Sequence, residues 1–526
     1  MRHRLFACLA AASIGVAAQG QVPLLQTGDD VPGLGVVGYP SGPVLNASGG
    51  WLCVGTSTYA EQGLVRDGQA VVVVGAKVRP GVQLLGLWEY GLDSGGGAFW
   101  TGPVDAPWLG PVPTAVGLDD AVLRMTGDLC DAPEVAPGTV YAHLGDLSWT
   151  DQRKLLVRGS IDDPAHEGGP KTALLLIEVD DAGAVVSERV LLKEGDSLPG
   201  QLKPVSSAGP GEGADLSNAG DLISTPSFGG KGAVYWNTVL LAETGGAAPV
   251  PGRTWKQFFC AETNDQGDHA YLGHLEGDPK SGALIVRNGE KLVQTGDVLP
   301  DVAPYAIEAI SPDRIELAED GTVGWIGSFA GEHGLFLDQR LVLATGQELD
   351  GKPVTFLGTS GFSLLADGLS AGLYVGFGDG SYAAYDASFA TFLALPGCAS
   401  NPGSLEVVEG APVVGGALTF AMDTGQLPGV FPFLAVSSEP PGGWPTCGLV
   451  IPGAGELLIS IDGGDPLTTL FSGLAWTGTP SFFELGLPPG LHGVELAAQG
   501  MFVDIAGVST SEPFRLTDAV RMQVGI

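Results

Sequence analysis

Seven short phrases, each an apolar run closing on a glycine, recur along this 526-residue chain at nearly constant spacing. They read LLQTGDDVPG from Leu24, VVVVGAKVRPG from Val71, LRMTGD from Leu123 and LLKEGDSLPG from Leu191. The series continues with LLAETGG from Leu240, LVQTGDVLP from Leu292 and LVLATGQ from Leu341. The marker glycines are Gly28, Gly75, Gly127, Gly195, Gly245, Gly296 and Gly346, so successive intervals are 47, 52, 68, 50, 51 and 50 residues. The long interval fits an insertion around 162–170. A fixed period of this length marks a repeat architecture.

A second phrase follows in six of the seven units. It reads LNASGGWLCVG from Leu45, LDSGGGAFWTG from Leu92, LSNAGDLIS from Leu216, TNDQGDHAYLG from Thr263, LAEDGTVGWIG from Leu317 and LADGLSAGLYVG from Leu365, with degenerate residues Asp151–Lys154 in the third unit. Its form is a polar Asx turn, a glycine and a strand. A third signal precedes the first phrase: LVRDGQAVVVVG from Leu64, LIVRNGEKLVQTG from Leu284 and GLFLDQRLVLATG from Gly334 are strand pairs across a two-residue turn. Asp67-Gly68 and Asn288-Gly289 suit type I′ hairpins, which need positive φ at both central residues.

Each unit thus holds about four short strands. Gly and Pro number 83 and 38, about 23% of the chain, roughly double average usage, and they are the poorest helix formers. The expectation is an all-β, seven-bladed β-propeller over 21–394, since a blade is a four-stranded sheet and radial repetition shields its edges. A β-solenoid needs a shorter coil period and fewer hairpins. The strand at 22–27 has no predecessor to pair with. Residues 382–385 are its expected partner and would close the ring, with 388–394 as the competing partner.

From about residue 395 the spacing changes. Alternating segments at 405–408, 417–422, 431–436, 457–461, 482–485, 494–498, 502–505 and 520–524 predict a C-terminal antiparallel β-sandwich or jelly roll over 395–526.

Charge narrows the partners. With 24 basic against 59 acidic residues the net charge is -35, which repels nucleic acid and anionic membrane surfaces. Arg2, His3 and Arg4, an apolar run over 5–18 and small residues at 18–20 read as a signal peptide over 1–20. No later run reaches the ~18 apolar residues of a membrane span. The expected location is therefore secreted or cell-surface, as a monomer. Of the five cysteines beyond the leader none forms a CxxC pair. Cys398 and Cys447 form the expected disulfide of an oxidising compartment, and Cys53, Cys130 and Cys260 include at least one buried free thiol.

No nucleophile elbow, metalloprotease helix, P-loop or dinucleotide fingerprint occurs in a fitting context. His269 and His274 lie five apart on a predicted strand, hence on opposite faces. Residues 318–322 only partly match an Asp-box turn. The Asp of the TGD phrase, at Asp29, Asp128, Asp196 and Asp297, either caps its own turn or contributes to a carboxylate rim that binds calcium. Calcium is the one cofactor considered. Trp51, Trp100, Trp236 and Trp325 sit in strands and read as core. Trp108, Trp149, Trp255 and Trp444 lie in polar or Pro/Gly-containing stretches and are the candidate ligand-binding aromatics.

The phrases LNASGGWLCVG, TNDQGDHAYLG and LAEDGTVGWIG resemble the tandem repeat N-x-x-G-x-x-A-F of secreted planctomycete-type proteins, the choice-of-anchor group. Segments LPPGLHGVELAAQGMFVD, LTDAVRMQVG and GCASNPGSLEVV are similar to the terminal β domain of exported planctomycete proteins. This resemblance implies location and shape and no reaction. The expected role is a non-catalytic binding or structural protein with an extracellular protein or polysaccharide partner. The alternative is an extracellular glycan hydrolase or lyase on the same scaffold.

Overall fold

The computed structural model describes residues 22–525 apart from 47, 107–111, 210–212, 278–281, 350, 367, 369, 389–390, 396–400, 410–411, 413–415, 424–429, 439–447, 452–453, 460–468, 474–475, 477–478, 489–490, 492–493 and 505–513. Residues 23–386 form one compact unit, and the chain from 387 onward belongs to a second. The leader expected over 1–20 lies outside the described residues, as do Cys398 and Cys447.

The first unit is built of antiparallel sheets, seven among the described residues. The fifth sheet shows the plan: Trp255–Thr263, His269–Leu275, Ala283–Arg287 and Glu290–Gln294 pair in chain order. The third and sixth sheets repeat it. No α-helix occurs among the described residues, and a single 3-10 turn covers Pro300–Val302. The expected hairpin turns form: Asp67 and Gly68 have φ of 49° and 79°, and Asn288 and Gly289 have 52° and 81°. The long third period is explained by nine-residue strands Lys154–Asp162 and Lys171–Val179 around a loop at 163–170.

Middle strands bury both faces. Val323–Phe329 is almost wholly buried along its length, and so is Ser370–Phe377. Such strands read as continuous apolar runs because there is no solvent side. The buried faces join neighbouring sheets into cores. Leu52 and Leu64 meet Trp100 and Ala115 of the second sheet, and Phe99 and Val116 meet Leu144 and Val157 of the third. Leu156 and Leu174 meet Phe228 and Tyr235 of the fourth, and Ile223 and Val234 meet Trp255 and Tyr271 of the fifth. Cys260 and Leu272 pack on Trp325 and Phe336 of the sixth. There the two rings stack with centroids 4.2 Å apart and planes 7° from parallel. In turn, Gly324 of the sixth sheet faces Phe362 and Leu364 of the seventh so closely that a Cβ would lie within 3.0 Å of both.

The seventh sheet returns to the first. Strand Val22–Gln26 adds beside Tyr382–Ser388 as its outermost member, the pairing expected from the repeat register. Thr27 N–H donates to Tyr382 O at 2.9 Å, and Tyr382 N–H donates to Thr27 Oγ1 at 3.1 Å. Leu25 and Ala384 then pack with Val37, Cys53 and Val65 of the first sheet. The result is a propeller-like ring in which every sheet has two neighbours. The competing partner, Thr391–Leu395, pairs instead with Phe514–Gln523 in the second unit, so the ring unit ends before residue 394.

In the second unit, a five-stranded and a three-stranded antiparallel sheet contribute to one core. Leu418, Phe420 and Phe483 of the smaller sheet pack with Leu434, Phe502 and Met522 of the larger. The segments expected at 494–498 and 502–505 are one strand, Glu495–Val503. Gly500 within it is a close approach, since a Cβ there would lie 2.6 Å from the Met422 side chain. The ladder shifts register at this point, which is why the glycine reads as a break. The expected 457–461 segment is instead a short strand, Gly455–Leu457, after which Leu458 and Ile459 turn into a core.

Ring closure by a strand far from its partner in sequence gives a stability prediction. Leu25→Ala should lower unfolding free energy by about 2–4 kcal/mol, the usual loss for a buried leucine. The control Leu202→Ala, at a fully exposed residue, should change it by less than about 0.5 kcal/mol. Denaturant titration followed by tryptophan fluorescence checks both.

Candidate functional site

The Asx turns are the end of the ring from which the site is built. Their first residues are Asn46, Asp93, Thr150, Ser217, Asn264, Ala318 and Leu365. In the first five, the side-chain oxygen accepts the N–H four residues on: Gly50 at 2.8 Å, Gly97 at 2.6 Å, Lys154 at 3.3 Å, Asp221 at 3.1 Å and Asp268 at 2.9 Å. The third unit, degenerate in sequence, keeps this geometry. Arg153 takes the place glycine holds elsewhere, at φ 57°, a left-handed conformation that disfavours a Cβ by ~1–2 kcal/mol. Its guanidinium Nε reaches across to the buried Asp93 carboxylate at 2.7 Å, and that ion pair with a neighbouring sheet offsets the strain.

From the second turn to the seventh, the next one or two positions link sheet to sheet. Ser94 N–H donates to Asp151 Oδ1 at 3.1 Å, and Asp151 N–H to Asn218 Oδ1 at 2.7 Å. Ala219 N–H donates to Asp265 Oδ1 at 2.9 Å, and Asp265 N–H to Glu319 Oε2 at 3.0 Å. Glu319 N–H then reaches Ala366 O at 3.1 Å. This girdle sets carboxylates close together. Burial holds the Glu319 carboxyl above its ordinary range, opposed by the Asp265 N–H and reinforced by the charges of Asp265, Asp151 and Asp215.

Inside the girdle is a cavity of about 280 Å³ to which all seven sheets contribute. Its carboxylates are Glu89, Asp146, Asp151, Asp215, Glu262 and Glu316, against the guanidiniums of Arg158 and Arg314. Counting back from each Asx residue, Ser148, Asp215, Glu262 and Glu316 lie two positions before, and Glu89, Asp146 and Arg314 lie four before. On a strand, positions two apart share a face, so this register aims them all inward. Many of the charges engage one another. Arg158 Nη1 donates to Asp146 Oδ2 at 2.8 Å, and Arg314 Nε pairs with Glu316. Ser148 Oγ donates to Asp215 Oδ1 at 2.5 Å, and Thr263 N–H to Asp215 Oδ2 at 3.1 Å. Glu89 differs. Burial raises its carboxyl above the usual range, the Arg314 charge opposes this and the Asp146 charge adds to it. Arg158 Nε is buried with no acceptor among the described residues.

Of the candidate aromatics, Trp149 lines this cavity. Its ring occupies the space a Cβ on Gly91 would need, 2.2 Å away, and its Nε1 donates to Leu92 O at 3.1 Å. Trp255 is corrected: it is 1% exposed and packs on Phe258 and Tyr271, so no surface ligand reaches it. The polar residues around it face outward while the indole completes the core between two sheets. Trp108 and Trp444 lie outside the described residues. Trp100 and Trp325 are core, whereas Trp51 and Trp236 are half-buried.

The TGD aspartates behave alike. Asp29, Asp128, Asp196 and Asp297 each accept, through Oδ2, the N–H three residues earlier at 2.8, 2.9, 2.8 and 2.8 Å. Gln347 does the same for Ala344 at 2.7 Å in the TGQ copy, where no carboxylate is present. The second oxygens of Asp128 and Asp297 meet Arg79 and Lys291. Among the described residues, no group of three or more His, Cys, Asp or Glu is arranged to hold a metal ion. His269 and His274 contact different aromatics: His269 stacks on Trp236, and His274 meets Phe259 edge to face. Cys53 and Cys130 are buried free thiols, and the buried Cys260 thiol donates to Pro312 O at 3.8 Å.

No protein-family model and no curated protein matches the chain. Among solved structures, it is similar to a Dos1 propeller, at 10% identity and TM-score 0.32, over 67% of this chain and 78% of that one. It is also similar to a virginiamycin B lyase from Staphylococcus aureus, at 10% identity and TM-score 0.28, over 70% and 98%. A third is a gluconolactonase from Xanthomonas campestris, at 17% identity and TM-score 0.24, over 44% and 69%.

Two measurements test the girdle and the turns. Arg153→Ala should destabilise the protein by about 3 kcal/mol despite relieving strain, because it leaves the Asp93 charge buried and unpaired; thermal unfolding reports it. Asp196→Ala should lower stability by about 1 kcal/mol through the lost N–H acceptor, and added calcium should leave the melting temperature of the parent protein unchanged.

Proposed function

We propose that the chain is an exported, non-catalytic binding protein: a seven-bladed β-propeller followed by a C-terminal β-sandwich, acting outside the cell or at its surface as a monomer. The basic, apolar and small-residue pattern at the N-terminus supports export, with a Cys398–Cys447 bridge in the second unit suited to that compartment. The partner we favour is a glycan, held at the Asx end of the ring. One observation carries this reading. All seven sheets line a cavity whose walls combine ion-paired carboxylates and guanidiniums with the Trp149 indole, the mixture of planar polar groups and an aromatic that hydroxyl-rich ligands require. The anionic character of the chain argues against phosphate-bearing partners. Among the described residues no helix is long and apolar enough to cross a membrane.

The second reading, a glycan hydrolase or lyase, is favoured by Glu89. A carboxyl held up by burial, with the charge of another carboxylate, Asp146, adding to the rise, is the setting in which a general acid is found. It ranks second because Asp146, Glu316 and Asp215 are already engaged by Arg158, Arg314 and Ser148.

Incubating the full-length exported protein with a glycan array, and assaying the bound polysaccharides for chain shortening, separates the two. Retention without new reducing ends or unsaturated products is the expected outcome. Release of product would transfer the assignment to the enzyme.

A further inference from the structure

The end of the ring opposite the Asx turns carries aromatic side chains that the packing of the sheets leaves in water. Among the described residues of the ring unit, the exposed tyrosines and phenylalanine are Tyr39, Tyr59, Tyr305 and Phe356. All four lie at this end. Tyr59 follows Trp51–Ser57, the strand that leaves the first Asx turn, while Tyr305 and Phe356 follow the TGD and TGQ phrases of their units. Two of the four belong to one cluster. Tyr39 of the first sheet and Phe356 of the seventh both touch Tyr382, with ring centroids 5.5 and 6.4 Å away. Tyr374 stacks on Tyr382 at 5.8 Å and meets the Phe356 ring at 5.7 Å.

The cluster is held from behind. Thr27 Oγ1 of the first TGD phrase donates to Gly38 O at 2.9 Å and accepts the Tyr382 N–H, which fixes the backbone beside Tyr39 against that of Tyr382. A Cβ on Gly358 would lie 2.6 Å from the Tyr374 ring, and one on Gly376 would lie 2.9 Å from the Tyr382 ring. Those two glycines let both rings lie against the backbone of the seventh sheet. Tyr374 and Tyr382 are half-buried supports, whereas Tyr39 and Phe356 are 58% and 44% exposed. Aromatic rings gain by leaving water, so rings fixed in place and left facing it mark a contact surface.

Charge and hydrogen bonding identify what this surface fits. Lys352 and Asp379, at this edge of the seventh sheet, pair with each other at 3.5 Å. Burial pushes the Tyr374 phenol up to about 12, so at neutral pH it is an uncharged donor. The tyrosine hydroxyls thus add neutral donors and acceptors to an apolar plane. The complement is a neutral body with an apolar face and a rim of hydroxyls. A pyranose with every substituent equatorial has that form, its axial C–H groups making the face. An anionic lipid surface is repelled by a net charge of -35, since like charges oppose approach.

Resting on the glycan reading above, we propose that this platform at the closing seam of the ring is a second glycan contact, taking a neutral β-linked glucose chain with sugar faces on Tyr39 and Phe356. It shares no residue with the walls of the Asx-end cavity.

Calorimetric titration of the full-length protein with cellohexaose tests this, with a hexamer of galacturonate as the charged comparison. Cellohexaose should bind with a Kd of about 1 mM or tighter, and the galacturonate hexamer at least about tenfold more weakly. Tyr39→Ala and Phe356→Ala should each weaken cellohexaose about tenfold, whereas Tyr39→Phe, which keeps the ring, should stay within about threefold of the parent. In the parent protein, bound cellohexaose should perturb the tyrosine absorbance, which reads the platform even where an alanine variant fails to fold. Absence of cellohexaose binding at about 10 mM overturns the proposal, as does binding that survives both alanine substitutions or leaves the tyrosine absorbance unchanged. A parent dimer that Tyr39→Ala converts to monomer in sedimentation gives the face to a second copy of the chain and also overturns it. Should cellohexaose fail while the array retains polysaccharides equally on the parent and on Tyr39→Ala, this inference falls and the glycan reading stands.

Discussion

A sheet that is apolar on both faces cannot stop at water, and everything in the ring follows from that. The middle strands of each sheet leave almost no residue exposed on either side. Each sheet therefore needs two neighbours, and a linear stack would leave two bare faces of large apolar area, each unfavourable by ~25 cal/mol per Å². Joining last to first removes both. That is the work of Val22–Gln26, which completes the seventh sheet and brings Leu25 and Ala384 against the first. The closing contact joins residues over 350 apart in sequence, so it is a late and expensive contact in chain entropy, held by many buried side chains together.

The polar features are consequences of the same packing. Turns at the Asx end come close enough for the backbone amide of one to reach the side chain of the next, and the carboxylates of Asp151, Asp265 and Glu319 serve as acceptors for amides that the tight turn leaves unpaired. Where the turn sequence decays, at Arg153, a long cation reaches the neighbouring sheet's Asp93. Local strain is thus tolerated because a tertiary contact over-determines the conformation. At the other end, four aspartates and Gln347 accept the same amide in their turns. A glutamine in one copy fits a hydrogen-bonding role and has no charge to give a cation.

Charge inside the ring has a different origin. It comes from positions two and four before the Asx residue, which in five of the seven units carry Asp, Glu or Arg. Arg158 pairs with Asp146 and Arg314 with Glu316, and burial holds the Glu89 carboxyl above its usual range. The second unit shows a simpler balance, two sheets sharing one apolar core.

The repeat period, the type I′ turns at Asp67-Gly68 and Asn288-Gly289 and the partner of the first strand were legible in the residues, because each is set by local backbone chemistry copied unit to unit. The channel-facing charges were present too, two or four residues before five of the seven Asx turns, but no single copy displays the register. Other features were decided only in three dimensions. Trp255 looks exposed beside its polar neighbours yet is core, since burial depends on which sheet arrives opposite it. Gly500 reads as a break and is a close approach, because the Met422 side chain that requires it lies on another strand. Glu89, Arg158 and Arg314 come from three different sheets, and only ring closure places their charges around one space.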